Sequence, residues 1–235
     1  EDVLIHVKNI DIARQKLLAT TYLYHLGYSA LLDAGYKPGF EVVIIGLGAL
    51  GFASASLVAA SGGSPIILSG RKDASNIMRY IPFSHFVNKN QSGIACQSVA
   101  DLDGADLIIN TSDSWDDYEL GLKMIRRGGT IMLVGFPGRG MAMPAFNPLD
   151  SKYIYDKAVT VSPVGHYTDI DVTPINFRFT LKRNLAYLYS LLLAGRVDPT
   201  PLMSASYPWD DLEGAYNMLE ARPKDSLSAI LDWTH

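Results

Sequence analysis

Three closely spaced glycines constrain this chain more than any other feature. They lie in the sequence Gly46-Leu47-Gly48-Ala49-Leu50-Gly51, directly after the apolar run 41–45 and at the start of a helical pattern over residues 50–61. Gly46 permits a tight turn, Gly48 lets a pyrophosphate approach the backbone, and Gly51 lets the helix pack against the strand. We therefore predict a dinucleotide-binding turn whose cofactor contacts are Gly46, Gly48, Ala49, Leu50 and Gly51. The alternative is a glycine-rich turn that holds no ligand.

Apolar strand patterns alternate with helical patterns around this turn. The predicted strands are 41–45, 65–69, 85–88, 106–110, 130–136 and 158–164, and a helix is predicted over 115–127. Strands that are apolar on both faces and separated by helices are typical of a parallel sheet covered by helices on both sides. We predict an α/β fold, a doubly wound six-stranded parallel sheet (a Rossmann fold), within residues 22–165.

The rhythm changes after Gly165. A long helical pattern covers 175–194, an amphipathic helix follows Pro208, and a final strand is predicted at 227–233. Ahead of the sheet, residues 17–34 form an apolar helical pattern. Residues 166–235 are therefore predicted to form a separate C-terminal segment.

The end of the second predicted strand indicates which cofactor is bound. An NAD site usually has an acidic residue there for the ribose 2′-hydroxyl, whereas this chain has Ser69, Arg71 and Lys72. A hydroxyl, a guanidinium and an ammonium suit a 2′-phosphate, so we predict NADP(H). The alternative is that Arg71 and Lys72 are a solvated surface pair.

Loops after the later strands are also expected to line the cofactor. In open parallel sheets, ligands bind at the carboxyl ends of the strands. The further predicted contacts are Thr111, Ser112, Gly135, Phe136, Val164 and Gly165.

Charge and cysteine content restrict the partners and the setting. The net charge of −4 argues against a nucleic-acid partner, which would require a basic face. The single cysteine, Cys96, cannot form an internal disulfide, so a reducing, cytoplasmic setting is expected. No apolar run is long enough to span a bilayer. The chain opens at Glu1 without a methionine, which suggests a processed protein or a fragment.

With these residues placed, the chain resembles the medium-chain dehydrogenase/reductase family, which includes the zinc-type alcohol dehydrogenases. The resemblance runs from about Leu17 onward. The matching stretches are Lys37-Pro38-Gly39, 42–51, Arg127-Gly128-Gly129, 130–135, 195–199 and Glu213-Gly214-Ala215-Tyr216.

The resemblance implies a missing N-terminal substrate domain. Family members begin with a barrel-like domain that supplies most catalytic groups, so residues 1–21 would be its remnant and linker. The C-terminal helices and strand of residues 166–235 would belong to this mostly absent domain and pack on it. The catalytic residues of this chain are therefore unknown. Thr21 stands near the position of a zinc ligand in zinc members, and threonine is a poor ligand, so no metal is predicted. The resemblance also implies a homodimer through residues 158–164.

Two functions remain open from the sequence. The first is hydride transfer between NADP(H) and a small-molecule alcohol, carbonyl or activated alkene. The second is a stand-alone dinucleotide-binding or redox-sensing module, or a pseudoenzyme, without turnover.

Overall fold

A six-stranded, all-parallel sheet forms the centre of the protein, in a computed structural model that describes residues 10–71, 74–91, 99, 103–164, 178–221, 223 and 225–233. The strand order is β3-β2-β1-β4-β5-β6. The bounds are β1 Val42–Ile45, β2 Ile66–Ser69, β3 His85–Asn88, β4 Ala105–Asn110, β5 Ile125–Leu133 and β6 Thr160–Pro163. The predicted doubly wound α/β fold is confirmed.

Helices cover both faces of this sheet. They are α1 Ile12–Asp33, α2 Ala49–Ala60, α3 Ser75–Met78, α4 Trp115–Met124, α5 Ser151–Ile154, α6 Leu181–Leu193, α7 Thr200–Met203 and α8 Leu212–Glu220. Side-chain oxygens cap several of them; Asp11, for example, accepts from the Arg14 amide, and Thr180 from the Arg183 amide. Such caps satisfy amides that lack a partner within the helix. None of the helices within the described ranges is both long and apolar enough to cross a membrane.

Helix α1 packs against α2 at a very short distance. Both helices belong to the larger of two apolar clusters, which also contains side chains of β1 and β4. The contact is at Gly27, where an added Cβ would lie 2.7 Å from Ser54 Oγ and 2.9 Å from Ser54 Cα. Only a residue without a side chain permits this approach. Helix α1 also crosses the predicted boundary between residues 21 and 22, and the domain division stays a prediction.

The helix predicted over 115–127 ends earlier than expected. Ile125 has extended backbone angles and begins β5, where it pairs with Ala105 before a register shift. The Ile125 side chain is buried, and an added Cβ on Gly129 would lie 2.6 Å from Ile125 Cδ1. This burial overrides the helical pattern of the local sequence, so the strand occupies 125–133 instead of the predicted 130–136.

The C-terminal segment contains two elements that the sequence pattern missed. The long helix begins at Leu181, after the Thr180 cap, and residues 175–177 lie outside the described ranges. Helix α7 and strand β7 (Ala205–Pro208) then precede α8, and β7 pairs in parallel with β8 (Ala229–Asp232). Both elements are short and contain a proline, Pro201 and Pro208, and proline argues against a helix interior or a central strand in a sequence pattern.

Strand β6 lies at the open edge of the sheet, as predicted for residues 158–164. Among the residues that the structure describes, it pairs only with β5, from Thr160↔Thr130 to Pro163↔Leu133. Such an edge offers unpaired backbone groups to another chain. The homodimer through this edge stays a prediction.

Two glycine substitutions are expected to have opposite effects on stability. Gly27→Ala should lower the free energy of unfolding by about 1–3 kcal/mol, because its Cβ would collide with the backbone of α2. Gly121→Ala in α4 is the matched control, because its Cβ would lie 3.5 Å or more from its neighbours. It should raise stability by up to about 1 kcal/mol through helix propensity. Urea unfolding of both variants measures the effect, and equal changes would contradict the close helix contact.

Candidate functional site

The glycine turn connects β1 to α2 at the carboxyl edge of the sheet. Gly46 has φ +103°, a conformation that favours glycine, and its amide donates to the Leu68 carbonyl at 2.8 Å. An added Cβ on Gly46 would collide with Thr111 Oγ1. The Thr111 hydroxyl donates to the Ile45 carbonyl at 2.9 Å. The turn is therefore held between the ends of β2 and β4.

The other two glycines of the turn differ in their surroundings. An added Cβ on Gly51 would collide with the Gly46 carbonyl oxygen, so Gly51 permits the first turn of α2 to press on the strand end. Gly48 is exposed, and no atom lies within 4 Å of its added Cβ. The helix's first backbone bond runs from Phe52 to Gly48. Ala49, Leu50 and Gly51 thus form the first turn, where amides lack helical acceptors and anions bind.

A buried polar group lies beside this turn. Asn110, the last residue of β4, is 1% exposed, and its Oδ1 accepts from the Ser112 amide at 3.0 Å. Its Nδ2 has no hydrogen-bond partner within the described part of the chain. Buried amide groups are normally paired, so an acceptor from a ligand would satisfy this donor. The open space at Gly48 and the Asn110 donor together fit a bound dinucleotide.

The loops after β5 and β6 reach the same edge. Gly135 packs on the Ser112 backbone, where an added Cβ would lie 2.6 Å from the Ser112 carbonyl oxygen. Phe136 is 64% exposed, and its amide donates to Asp113 Oδ1 at 3.1 Å. Val164 donates to the Leu133 carbonyl at 3.1 Å. The structure brings the other predicted loop positions to one edge of the sheet, and their contacts with a cofactor stay a prediction. Gly165 lies outside the described residues.

Arg71 reaches across the end of β2 to the glycine turn. Its Nε donates to the Leu47 carbonyl at 3.0 Å, and Nη1 donates to the Pro223 carbonyl at 2.9 Å. Ser69 is buried, and its Oγ accepts from the Arg71 amide at 3.3 Å. Arg71 is half-buried, which argues against a solvated surface role. Lys72 lies outside the described residues.

A second cation near this edge escaped the sequence analysis. Lys89 follows β3, and its Nζ lies 2.7 Å from the carboxylate of Asp117, which is 3% exposed. The Lys89 side chain passes Gly70, whose added Cβ would lie 3.2 Å from Lys89 Cε. Asp117 lies in the first turn of α4, where a carboxylate favours the start of a helix. Because Lys89 and Asp117 are 28 positions apart, the local sequence pattern does not reveal that they pair.

Two residues of α1 are parts of the packed interior. His25 is 5% exposed, and burial lowers its pKa from the ordinary value. Thr21 is buried, and its hydroxyl donates to the Leu17 carbonyl at 3.4 Å. Within the described ranges, no three side chains of the metal-binding types cluster. The predicted lack of zinc stays a prediction, and Cys96 and His166 lie outside those ranges.

Known proteins with a similar sequence are reductases and dehydrogenases. A putative D-xylulose reductase of Rhizobium meliloti is 25% identical over 207 residues, which are 86% of this chain and 54% of that protein. The chain spans about half the length of three curated relatives that it matches. No protein-family profile matches it.

Solved structures of dehydrogenases share the fold. L-idonate 5-dehydrogenase from Escherichia coli K-12 has a TM-score of 0.73 at 20% identity, over 92% of this chain and 56% of that one. Zinc dependent alcohol dehydrogenase 2 from Streptococcus pneumonia, in its apo form, has a TM-score of 0.69 at 20% identity, over 91% and 58%. The predicted resemblance to the medium-chain dehydrogenase/reductase family is confirmed by these matches in sequence and fold.

Replacing Gly48 should separate ligand binding from folding. Gly48→Ala adds a methyl group to open space, so unfolding stability should fall by no more than about 1 kcal/mol, the size of a helix-cap effect. The same methyl group occupies the approach to the first-turn amides. Loss of one charge-assisted hydrogen bond weakens dinucleotide binding by about tenfold to a hundredfold. Calorimetric titration measures the affinity.

Gly51→Ala provides the contrasting control for this experiment. Its Cβ would collide with the Gly46 carbonyl oxygen, so this variant should lose folding stability as well as binding. Unchanged dinucleotide affinity in folded Gly48→Ala would mean that no phosphate approaches the backbone there.

Proposed function

We propose that this chain is the dinucleotide-binding half of an NADP(H)-dependent oxidoreductase. The observation that carries the proposal is the position of Arg71. This residue follows the end of β2, and its guanidinium donates to Leu47 in the glycine turn. In nucleotide-binding sheets this is the place where the cofactor's ribose is recognised. A fixed cation there suits a phosphate on the ribose 2′-oxygen.

The end of β2 has the chemistry of a phosphate site. The residues that follow the strand's apolar part are Ser69, Gly70 and Arg71, without a carboxylate among them. A carboxylate would accept the two ribose hydroxyls of NAD and repel a 2′-phosphate. Lys89 adds a second cation beyond Gly70, and Asp117 compensates its charge. These groups favour NADP(H), and Arg71 makes the main contribution because it is the cation that contacts the glycine turn.

The proposed reaction is hydride transfer to or from a small-molecule alcohol, carbonyl or activated alkene. The nicotinamide supplies the hydride chemistry when it is bound. The residues of this chain would hold the pyrophosphate at the first turn of α2 and the adenine ribose at the end of β2. Groups that act on the substrate would come from residues beyond this half. The reductase and dehydrogenase relatives support an oxidoreductase of this type.

Association and setting are part of the same proposal. A second copy of the chain would pair along β6, whose outer backbone groups face away from β5. A homodimer in the cytoplasm is the arrangement we propose for the whole protein.

Arg71 is expected to determine the preference for NADPH over NADH. The two cofactors differ only in the 2′-phosphate, and a hydrogen bond to a charged group contributes about 1.5–3 kcal/mol. The wild type should therefore prefer NADPH by about tenfold to a hundredfold. Arg71→Ala and Arg71→Gln should both weaken NADPH binding and leave NADH binding nearly unchanged. Fluorescence titration measures both affinities, and added salt should reduce the preference.

An exposed arginine that lies close to the C-terminal end of α2 serves as the control. Arg196 lies near Ala60 and Ser61, a helix length of about 18 Å from the glycine turn. Arg196→Ala should leave both affinities unchanged. If the Arg71 variants weaken both cofactors equally, Arg71 acts through folding or the adenine, and the phosphate assignment fails.

The 235-residue chain by itself should bind NADP(H) without turnover of alcohols or ketones. It contains a complete nucleotide turn, but the proposal places the groups that act on the substrate elsewhere. The measurement is NADPH absorbance during incubation of the purified chain with aldehydes and quinones. Robust oxidation would contradict the proposal, and absence of NADP(H) binding would refute it altogether.

A further inference from the structure

The guanidinium of Arg71 is bonded to two distant parts of the chain at once. Nε donates to Leu47 in the glycine turn, and Nη1 donates to Pro223, which precedes β8. Pro223 is 152 positions away in sequence. Bonds from two nitrogens of one planar group determine where the plane lies. The position of Arg71 therefore depends on the C-terminal segment as well as on β2.

A second contact joins the same two regions. Asn76 in α3 donates through Nδ2 to Asp225 Oδ1 at 2.5 Å, across 149 positions. Asn76 follows Arg71 by five residues in sequence, and Asp225 follows Pro223 by two residues. Both contacts therefore join the chain after β2 to the chain before β8.

The loop around Pro223 and Asp225 is anchored from its far side. Ser204 Oγ donates to the Asp225 carbonyl at 3.1 Å, and the Leu227 amide donates to the Pro201 carbonyl at 2.8 Å. Ser226 and Leu227 are each 8% exposed. Helix α7, which contains Pro201, thus holds this loop against the nucleotide-binding sheet.

We propose that Pro223 and Asn76, the latter through Asp225, are positioning residues for Arg71, so that the C-terminal segment sets the 2′-phosphate preference of the site. This inference rests on the proposed NADP(H) function. A long arginine side chain loses rotamer freedom when it is fixed on a ligand. Bonds to Leu47 and Pro223 fix it during folding, so binding of the 2′-phosphate loses less entropy.

Positioning predicts a specific change in cofactor preference. NADH makes no use of the Arg71 charge at the ribose, so a displaced guanidinium should affect NADPH alone. Proline restricts the backbone at 223, and Pro223→Gly removes that restraint. The loss of restraint corresponds to a weakening of NADPH binding of about two- to fivefold. Asn76→Ala, at an exposed position, should cause a loss of similar size.

The experiment is calorimetric titration of NADPH and NADH against Asn76→Ala, Pro223→Gly and each of them combined with Arg71→Gln. Both single variants should lower the NADPH/NADH affinity ratio and leave NADH within twofold. In the Arg71→Gln background, neither substitution should change the ratio further. Arg196→Ala is the control, because Arg196 is exposed and lies near Ala60 and Ser61 at the far end of α2; it should leave the ratio unchanged.

The outcomes separate this inference from the proposed function. Arg71→Gln without effect on the ratio refutes the NADP(H) proposal itself. If Arg71→Gln lowers the ratio but Asn76→Ala and Pro223→Gly do not, the phosphate site stands and the positioning role is wrong. A loss that persists in the Arg71→Gln background also overturns the positioning role. Thermal unfolding of each variant confirms that the measured chains are folded.

Discussion

The contact between Gly51 and the Gly46 carbonyl is the constraint on which the site depends. An added Cβ on Gly51 has no room there, so the first turn of α2 can press directly on the end of β1. This close packing directs the first-turn amides toward the carboxyl edge of the sheet. It leaves the exposed backbone at Gly48 open to a ligand. The ends of β2, β4 and β5 come to the same edge because all of these strands run parallel.

Arg71 connects this edge to the remainder of the chain. One guanidinium contacts the glycine turn and Pro223 before β8, so the candidate site and the C-terminal segment share this side chain. A preference for a 2′-phosphate can then depend on residues that never touch the cofactor. In the proposed enzyme, the half of the protein that binds cofactor would be completed by a half that binds substrate. The resemblance to dehydrogenases about twice as long agrees with this division.

Features with a local origin could be predicted from the sequence. The strand-turn-helix at 42–60 follows from four apolar residues and three glycines, and the parallel, doubly wound arrangement of the six strands follows from their alternation with helices. Features that join distant residues could not be predicted. The Lys89 pair with Asp117 and the Arg71 bond to Pro223 depend on how the chain folds back. The sequence predicts that α4 ends at residue 127, because a helical pattern does not reveal the pairing of Ile125 with β4.

Calorimetric titration with two half-cofactors tests the central claim most directly. Adenosine 5′-monophosphate and adenosine 2′,5′-bisphosphate differ only in the 2′-phosphate, and neither depends on a nicotinamide site. The account predicts that the bisphosphate binds about tenfold more tightly or better at low salt, and that the difference shrinks as salt rises. Equal affinity of the two nucleotides, at low and high salt alike, would contradict the phosphate site at Arg71.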